Sequence, residues 1–462
     1  MRWSAVAAPL QRFWPAAAVV GGAVVLLESS HGALSSLFNL GAAAAGLWWF
    51  SNLARPDRRL LPTTSRGWFE RCEAVLCSFE RLEQADTLNA AAEAAAGRVA
   101  LAGRQEQRRQ QLADLRSRQD QPHLHLALVG SLGWSDALQN ALLQHCPSPS
   151  PLQVHRSHPL PASGGTWQWP ELFRQSDLLI YRLDLPLKAA DLRWLEALPA
   201  AQPVVLLVDQ PAQGDWMSWQ QQLEGQLPQR LRERCWCWSP EPANADQLRV
   251  DLAPLAQLMA GLGVAQRQAT QLRCLEELHG AWQLELESLR RARWQQLLQR
   301  TQWTVAAGVV MAPLPSLDLL VLAAANGLML QEMARLWECP WSGDQLKAAA
   351  VQLAQAALSL GVVEWSSQAL ASIVKLHGAT WLVGSALQAM SAAYLTRVVG
   401  RAMADYMALA VGVPEAELEA LLARQAPLLV ARAAEQEKVN WNAFLQQGLE
   451  WWQAQRLQSR PV

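Results

Sequence analysis

HLHLALVGSLGWSDALQNALLQ, residues 123–144, decides how the middle of this chain is read. Residues 123–130 (HLHLALVG) are a short apolar run ending on a glycine, as a buried strand does. Residues 135–144 (SDALQNALLQ) have the composition of a helix, with Ser135 or Asp136 placed to cap it. Strand, glycine turn and helix in that order is the layout of a phosphate-binding loop. Working outward, 176–183 (SDLLIYRL) and 203–209 (PVVLLVD) are apolar runs bounded by turn residues, helix-like 188–198 lies between them, and 234–238 supplies a further candidate strand. Continuous apolar strands alternating with helices predict a doubly wound α/β domain over 122–260.

This segment resembles the Era-type translation-factor-related GTPases through VGSLGWSDALQNALL (129–143) and SDLLIYRLDLPLKAADLRWLEALPAAQPVVLLVDQ (176–210), about a third of the chain in pattern. The likeness implies a loop of the form G-x-x-x-x-G-K-[ST], whose lysine contacts the phosphates and whose hydroxyl holds magnesium. Here Gly130 opens the loop and Gly133 follows, but the closing positions are Trp134, Ser135 and Asp136, one residue short and with no lysine after them. Asp136 brings a negative charge toward the place of a phosphate. The family's base-reading N-K-x-D belongs after the 203–209 strand, where Asp209, Gln210, Pro211 and Ala212 stand; its D-x-x-G is not recognisable near Gly164, Gly165 and Thr166. Loss of the charge-bearing groups removes most of phosphoryl-transfer catalysis. The expectation is a pseudo-GTPase serving as a binding module, with no cofactor, no metal and no catalytic residue; a residual nucleotide-binding GTPase is the alternative.

A second expectation comes from the amino-terminal stretch. Residues 13–27 are almost purely apolar, 28–32 interrupt them, and 33–50 resume with Ser35, Ser36 and Asn39 as polar breaks. Extended to Leu53, the second run has 21 residues, close to the roughly 20 a spanning helix needs. The first reaches that length by starting near Ala5 and taking in Arg12. Arg2 and Arg12 flank one side and Arg55, Arg58, Arg59 and Arg66 the other, while the turn carries Glu28 and His31 but no Lys or Arg. Basic flanks stay inside. Residues 1–66 are therefore expected to form a membrane hairpin, with membrane lipid as a partner and the bulk of a multi-pass chain cytoplasmic. A cleaved signal peptide or a soluble core hairpin is the competing reading.

Residues 67–121 contain no proline and read as a helical stalk whose outer part, 104–120, is a solvated spacer with Leu112 and Leu115 as its larger apolar residues. A helical connector over 261–303 leads into an apolar helical domain over 304–412. Charge nearly vanishes over 304–336 apart from Asp318, Glu332 and Arg335, and Ala312, Pro313, Leu314 and Pro315 break the helix there. Ala, Gly and Ser are frequent over 348–363 and 369–399, which permits close helix approach in lipid or in a soluble bundle alike. VVMAPLPSLDLLVLAAANGLMLQEMARLW (309–337), with the small-residue run through Arg401, resembles the YcjF-type domain of unknown function 697, above all in Pro313, Pro315 and Asp318. That resemblance implies a membrane-associated helical domain of a kind often joined to GTPase-like domains. Residues 337–340 depart from the small-residue turn it leads one to expect. Asp318 reads as a helix cap before a functional carboxylate. Arg397, Arg401 and Asp405 fall at helical spacing and are expected to neutralise one another on one face. An amphipathic helical tail, 413–462, closes the chain.

Composition bounds the function. Charged residues are 17%, apolar residues 51%, and tryptophans number 23, so part of the surface is expected to meet lipid or a partner. With 39 basic and 40 acidic residues, net −1, no positive field exists to hold nucleic acid. The seven cysteines show no metal spacing, and Cys235 and Cys237 read as structural thiols sharing one strand face. The fold class expected is α+α/β multidomain. The function expected is a membrane-anchored scaffold or regulator presenting its pseudo-GTPase domain to an unidentified cytoplasmic protein, with a soluble helical interaction protein as a third reading. The oligomeric state stays open.

Overall fold

The computed structural model describes residues 62–89, 94–163, 167–210, 216–240, 245–311, 315–362, 368, 385–411, 413, 415–439 and 441–458. The expected hairpin over 1–66 lies outside the described residues save for its last five, as do Pro313 and the 164–166 turn. Among the described residues, no helix is long and apolar enough to cross a membrane.

Two helices, α1 (Ser65–Asn89) and α2 (Ala94–Gln119), occupy the proline-free stretch. The α/β domain follows. Five strands, β1 (Leu124–Gly130), β2 (Leu152–Arg156), β3 (Leu178–Leu183), β4 (Val204–Asp209) and β5 (Cys235–Trp238), make one sheet in the order β2-β1-β3-β4-β5. Every pair is parallel. Alternation along each strand sends Ala127, Val129, Tyr181 and Leu206 to one face, covered by α4 (Ala189–Glu196) and α5 (Trp216–Gln226). Leu126, Leu128, Ile180 and Leu207 go to the other, covered by α3 (Asp136–His145), α6 (Ala245–Asp251) and α7 (Ala253–Ala260). Helices on both faces explain why β3 is buried throughout and reads as a continuous apolar run.

After the sheet, α8 (Val264–Met311) is one helix of 48 residues, about 72 Å at 1.5 Å per residue. It has no break at the boundary expected between connector and apolar domain. Trp68, Phe69, Cys72, Val75, Phe79 and Leu82 recur three or four apart on α1 and are buried. Gln271 of α8 donates to the Leu115 carbonyl (2.7 Å), and Arg293 donates to that of Leu82. The expected spacer is solvated along most of 104–120 but packs one face, with Arg108, Leu112 and Leu115 of α2 buried. Arg108 donates to Glu83 (3.1 Å) and Glu285 (2.7 Å), and its guanidinium lies 3.8 Å from the Phe79 ring centroid. A charged stretch passes for solvated when its countercharges sit on two other helices, because a buried cation is stable only with such partners.

The described part of α8 ends at Met311 and α9 (Pro315–Leu336) is described from Pro315, with the expected break at 312–314 outside the described residues. The helices α10 (Gly343–Ser359), α11 (Ser385–Ala410), α12 (Glu415–Val439) and α13 (Trp441–Gln458) complete a bundle with the end of α8. Small residues let α11 approach closely; a Cβ on Gly400 would stand 3.0 Å from Leu298 and 3.3 Å from Met329. Arg397, Arg401 and Asp405 pair across helices rather than with one another: both arginines meet Glu437 of α12 (2.6 and 2.7 Å), and Asp405 meets Arg291 of α8 (2.8 Å). After α9, Glu338 takes the left-handed conformation, φ 55°, in which glycine usually stands. Its carboxylate accepts from the Ser78 hydroxyl (2.8 Å) and faces Arg81 (3.3 Å), tying the end of α9 to α1 where a small-residue turn was expected.

Candidate functional site at the switch point of the sheet

β1 has β2 on one side and β3 on the other, so the crossovers leave β1 in opposite directions and a crevice forms at the carboxyl ends of β1 and β3. Open α/β sheets bind their ligands in that crevice. Gly130 closes β1 there, in register with Arg182 of β3. Its φ is +148°, and a Cβ would lie 1.9 Å from the Arg182 carbonyl oxygen. The glycine is needed for strand contact whether or not a phosphate ever approaches.

The remaining loop residues are turned to structural tasks. Ser135 caps α3, its hydroxyl accepting from the Leu138 N–H at 3.2 Å. Asp136, the first residue of α3, pairs with Arg156 and supplies the negative charge that the helix amino end favours. That is the position at which such helices otherwise hold a phosphate. Trp134 is buried, its indole N–H donating to the Val129 carbonyl at 3.0 Å. The Gly133 carbonyl accepts from the Arg182 guanidinium.

Arg182 fills the crevice. Its Nε and Nη2 donate to the two carboxylate oxygens of Asp209, at 2.9 and 2.6 Å, and the Trp238 indole N–H donates to Asp209 Oδ1 at 2.9 Å. The Trp134 and Trp238 rings lie 5.8 Å apart, centroid to centroid, with the guanidinium 5.9 and 5.7 Å from them. Asp209 thus plays for Arg182 the part a ligand anion plays in a bidentate clamp. Of this cluster the sequence singles out Gly130, Gly133, Trp134, Ser135, Asp136 and Asp209. It misses Arg182 and Trp238, although Arg182 is the lone cation in an otherwise apolar strand.

The cysteines of the α/β domain are held as protonated thiols. Burial pushes the Cys146 and Cys235 thiols up to about 12, the Cys237 thiol to about 11, and no disulfide joins them. Among the described residues no group of His, Cys, Asp and Glu is placed to hold a metal ion.

At the opposite, amino-terminal end of the sheet, Asp177 is buried, accepts from the His125 backbone N–H (2.8 Å) and faces Arg118 of α2 (3.1 Å). The His125 ring stacks on His155 with Nδ1 and Nε2 3.2 Å apart. Burial first, and then the Arg118 charge, lowers the His125 imidazole to about 4; His155 is lowered by the same two causes. The folded chain therefore holds His125 neutral, whereas the unfolded chain protonates it near 6.5. Stability is full above that value and falls as pH drops from about 6.5 toward 4, because the unfolded state binds the proton first. Allowing for partial exposure of the ring, the loss is about 2 kcal/mol. Denaturant unfolding at pH 7 and pH 4.5 measures it, and His125→Gln should flatten the difference. An equally steep slope in the variant would rule His125 out as its source.

In the carboxyl-terminal bundle, Pro315 begins α9, while the side chain of Asp318 lies outside the described residues. Residues 273–429 match the family model of DUF697, a domain of unknown function. The match runs from within α8 through most of α12 and so extends well beyond the proline motif. No curated protein and no solved structure matches the chain.

Proposed function

We propose that this chain is a membrane-anchored scaffold or regulatory protein whose α/β domain is a GTPase-like module that works without nucleotide. The observation carrying the reading is the Arg182–Asp209 pair set between Trp134 and Trp238. A phosphate entering the crevice would have to separate two largely buried charges that satisfy one another, and removing one partner from such a pair is costly. It would meet Asp136 at the amino end of α3 and no lysine to offset it. Having no nucleotide cycle, the domain offers partners a fixed surface, which suits a scaffold.

The anchor is assigned from sequence: the apolar runs over 13–27 and 33–53, flanked by arginines on both outer sides. The proposed partners are membrane lipid and a cytoplasmic protein.

Calorimetry of the full chain with and without magnesium and GTP tests the central claim. The expected result is an unchanged Tm. A nucleotide present at a hundred times its Kd would add about 2.7 kcal/mol, so an upward shift of several degrees would overturn the reading. Carbonate extraction tests the anchor: the full chain should stay in the membrane pellet and a chain beginning at Thr63 should not. Recovery of the full chain in the supernatant would remove the membrane from the proposal.

A further inference from the structure

We infer that the free edge of β5 is where two copies of this chain pair, antiparallel about a two-fold axis, so that their sheets become one. β5 ends the sheet and has β4 on one side only. Along it, Arg234 and Trp238 turn their carbonyls to β4, accepting from the Leu206 N–H (2.8 Å) and the Gln210 N–H (2.9 Å). Backbone direction alternates along a strand, so Cys235 and Cys237 turn their N–H and C=O groups the other way. They open on a cavity of about 630 Å³, banked by Trp216 and Gln220 of α5 on one side and by Asp251 of α6 on the other.

The two edges of the sheet are finished differently. β2, the other edge, carries Gln153, His155 and Arg156, and polar and charged residues keep an open edge from pairing. β5 is Cys-Trp-Cys-Trp, with neither charge nor proline. Trp236 and Cys237 are half-buried, and beside the residues that bank the edge Met217 and Val250 are 69% and 66% exposed. An uncharged edge lying between exposed apolar side chains invites another strand.

Charge identifies a second copy as the source of that strand. Arg232 and Arg234 stand where the chain enters β5, with Glu233 between them, so the entry is net positive. Asp251 stands at the exit, where it accepts from the Ser239 N–H (3.0 Å) and from Gln247 (2.7 Å). Among the described residues neither Arg232 nor Arg234 meets a carboxylate, and Asp251 meets no cation. Antiparallel pairing centred on Trp236 sets Cys235 against the partner's Cys237, each such pair exchanging both N–H···O bonds. It also carries Arg234 to the partner's Asp251, and the two-fold axis repeats every contact. A pair formed this way uses both free β5 edges and leaves neither open to further growth. A net charge of −1 on each chain puts little repulsion in its way. The inference depends on neither the membrane anchor nor the absence of nucleotide.

Sedimentation equilibrium of the full chain in density-matched detergent reads the association, and the parent is expected to be a dimer. Arg234→Asp and Asp251→Arg should each weaken it about tenfold or more, because the reversed charge meets a like charge at both symmetric contacts. An equimolar mixture of the two variants should recover the dimer, since both contacts then join opposite charges. Cys237→Pro removes a donor from the free edge while leaving the bonds to β4 in place, a change an edge strand tolerates. It too should weaken the dimer, with the Tm of the dilute chain unchanged. If Asp251→Arg does not fold, Arg234→Asp and Cys237→Pro decide. A parent that stays monomeric overturns the inference, as does association that these variants leave unchanged or that the mixture of two folded variants fails to recover.

Discussion

Gly130→Ala is expected to destabilise the α/β domain by at least about 3 kcal/mol, while Gly103→Ala, the same chemical change, is expected to stabilise the protein. At position 130 the new methyl would sit 1.9 Å from the Arg182 carbonyl oxygen and 2.8 Å from that residue's backbone carbon and nitrogen. Those atoms belong to the β1–β3 ladder and have no rotamer to retreat to. A φ of +148° adds backbone strain for any residue with a Cβ, about 1–3 kcal/mol. Gly103, in the interior of α2, has nothing within 4 Å of its would-be Cβ, and replacing a helical glycine by alanine is worth about 0.5–1 kcal/mol. Urea unfolding of both variants reads the contrast, and a mild effect of Gly130→Ala would mean that β1 and β3 approach less closely than described here. The result bears on function as well. Loss of nucleotide binding in a Gly130 variant would report a damaged sheet, so Asp209→Asn, which leaves the backbone alone, is the variant to use when asking whether the crevice can be opened to a phosphate.

How far the sequence reaches depends on how local each cause is. β1, β3 and β4 are legible to within a residue or two, because strands buried on both faces must be continuously apolar; β5, an edge strand, is legible because its four residues are all Cys and Trp. β2 escapes notice: it is an edge strand, nowhere fully buried, and Gln153, His155 and Arg156 interrupt its apolar pattern. The long-range pairings also escape. Arg182 finds Asp209 on the next strand, and Arg108 finds carboxylates on two other helices; in one dimension each looks like an isolated charge. The change from charged to apolar composition near 304 falls inside α8, which continues unbroken because a helix follows its backbone while its surroundings change from α1 to the bundle.

Glu437→Gln is expected to cost about 3–5 kcal/mol, more than either Arg397→Gln or Arg401→Gln alone. The carboxylate side chain is fully buried, with one oxygen 2.6 Å from Arg397 Nε and the other 2.7 Å from Arg401 Nε. Two cations face one anion, so the cluster as built carries one excess positive charge. Removing either arginine leaves a neutral pair, whereas removing the glutamate charge leaves two guanidinium groups close together with nothing between them. Aromatic faces soften the excess: Arg397 lies 5.5 Å from the Phe444 ring and Arg401 5.4 Å from Trp294. Such contacts are worth about 0.5–2 kcal/mol, too little to replace a carboxylate shared by two arginines. The asymmetry makes a double variant informative, since Glu437→Gln combined with Arg397→Gln removes one charge of each sign and should recover part of the loss. Thermal unfolding of the three single variants and the double supplies the comparison. Equal costs for Glu437 and Arg397, or no recovery in the double variant, would mean that the three helices α11, α12 and α13 are held by apolar packing alone and that the charges between them are incidental.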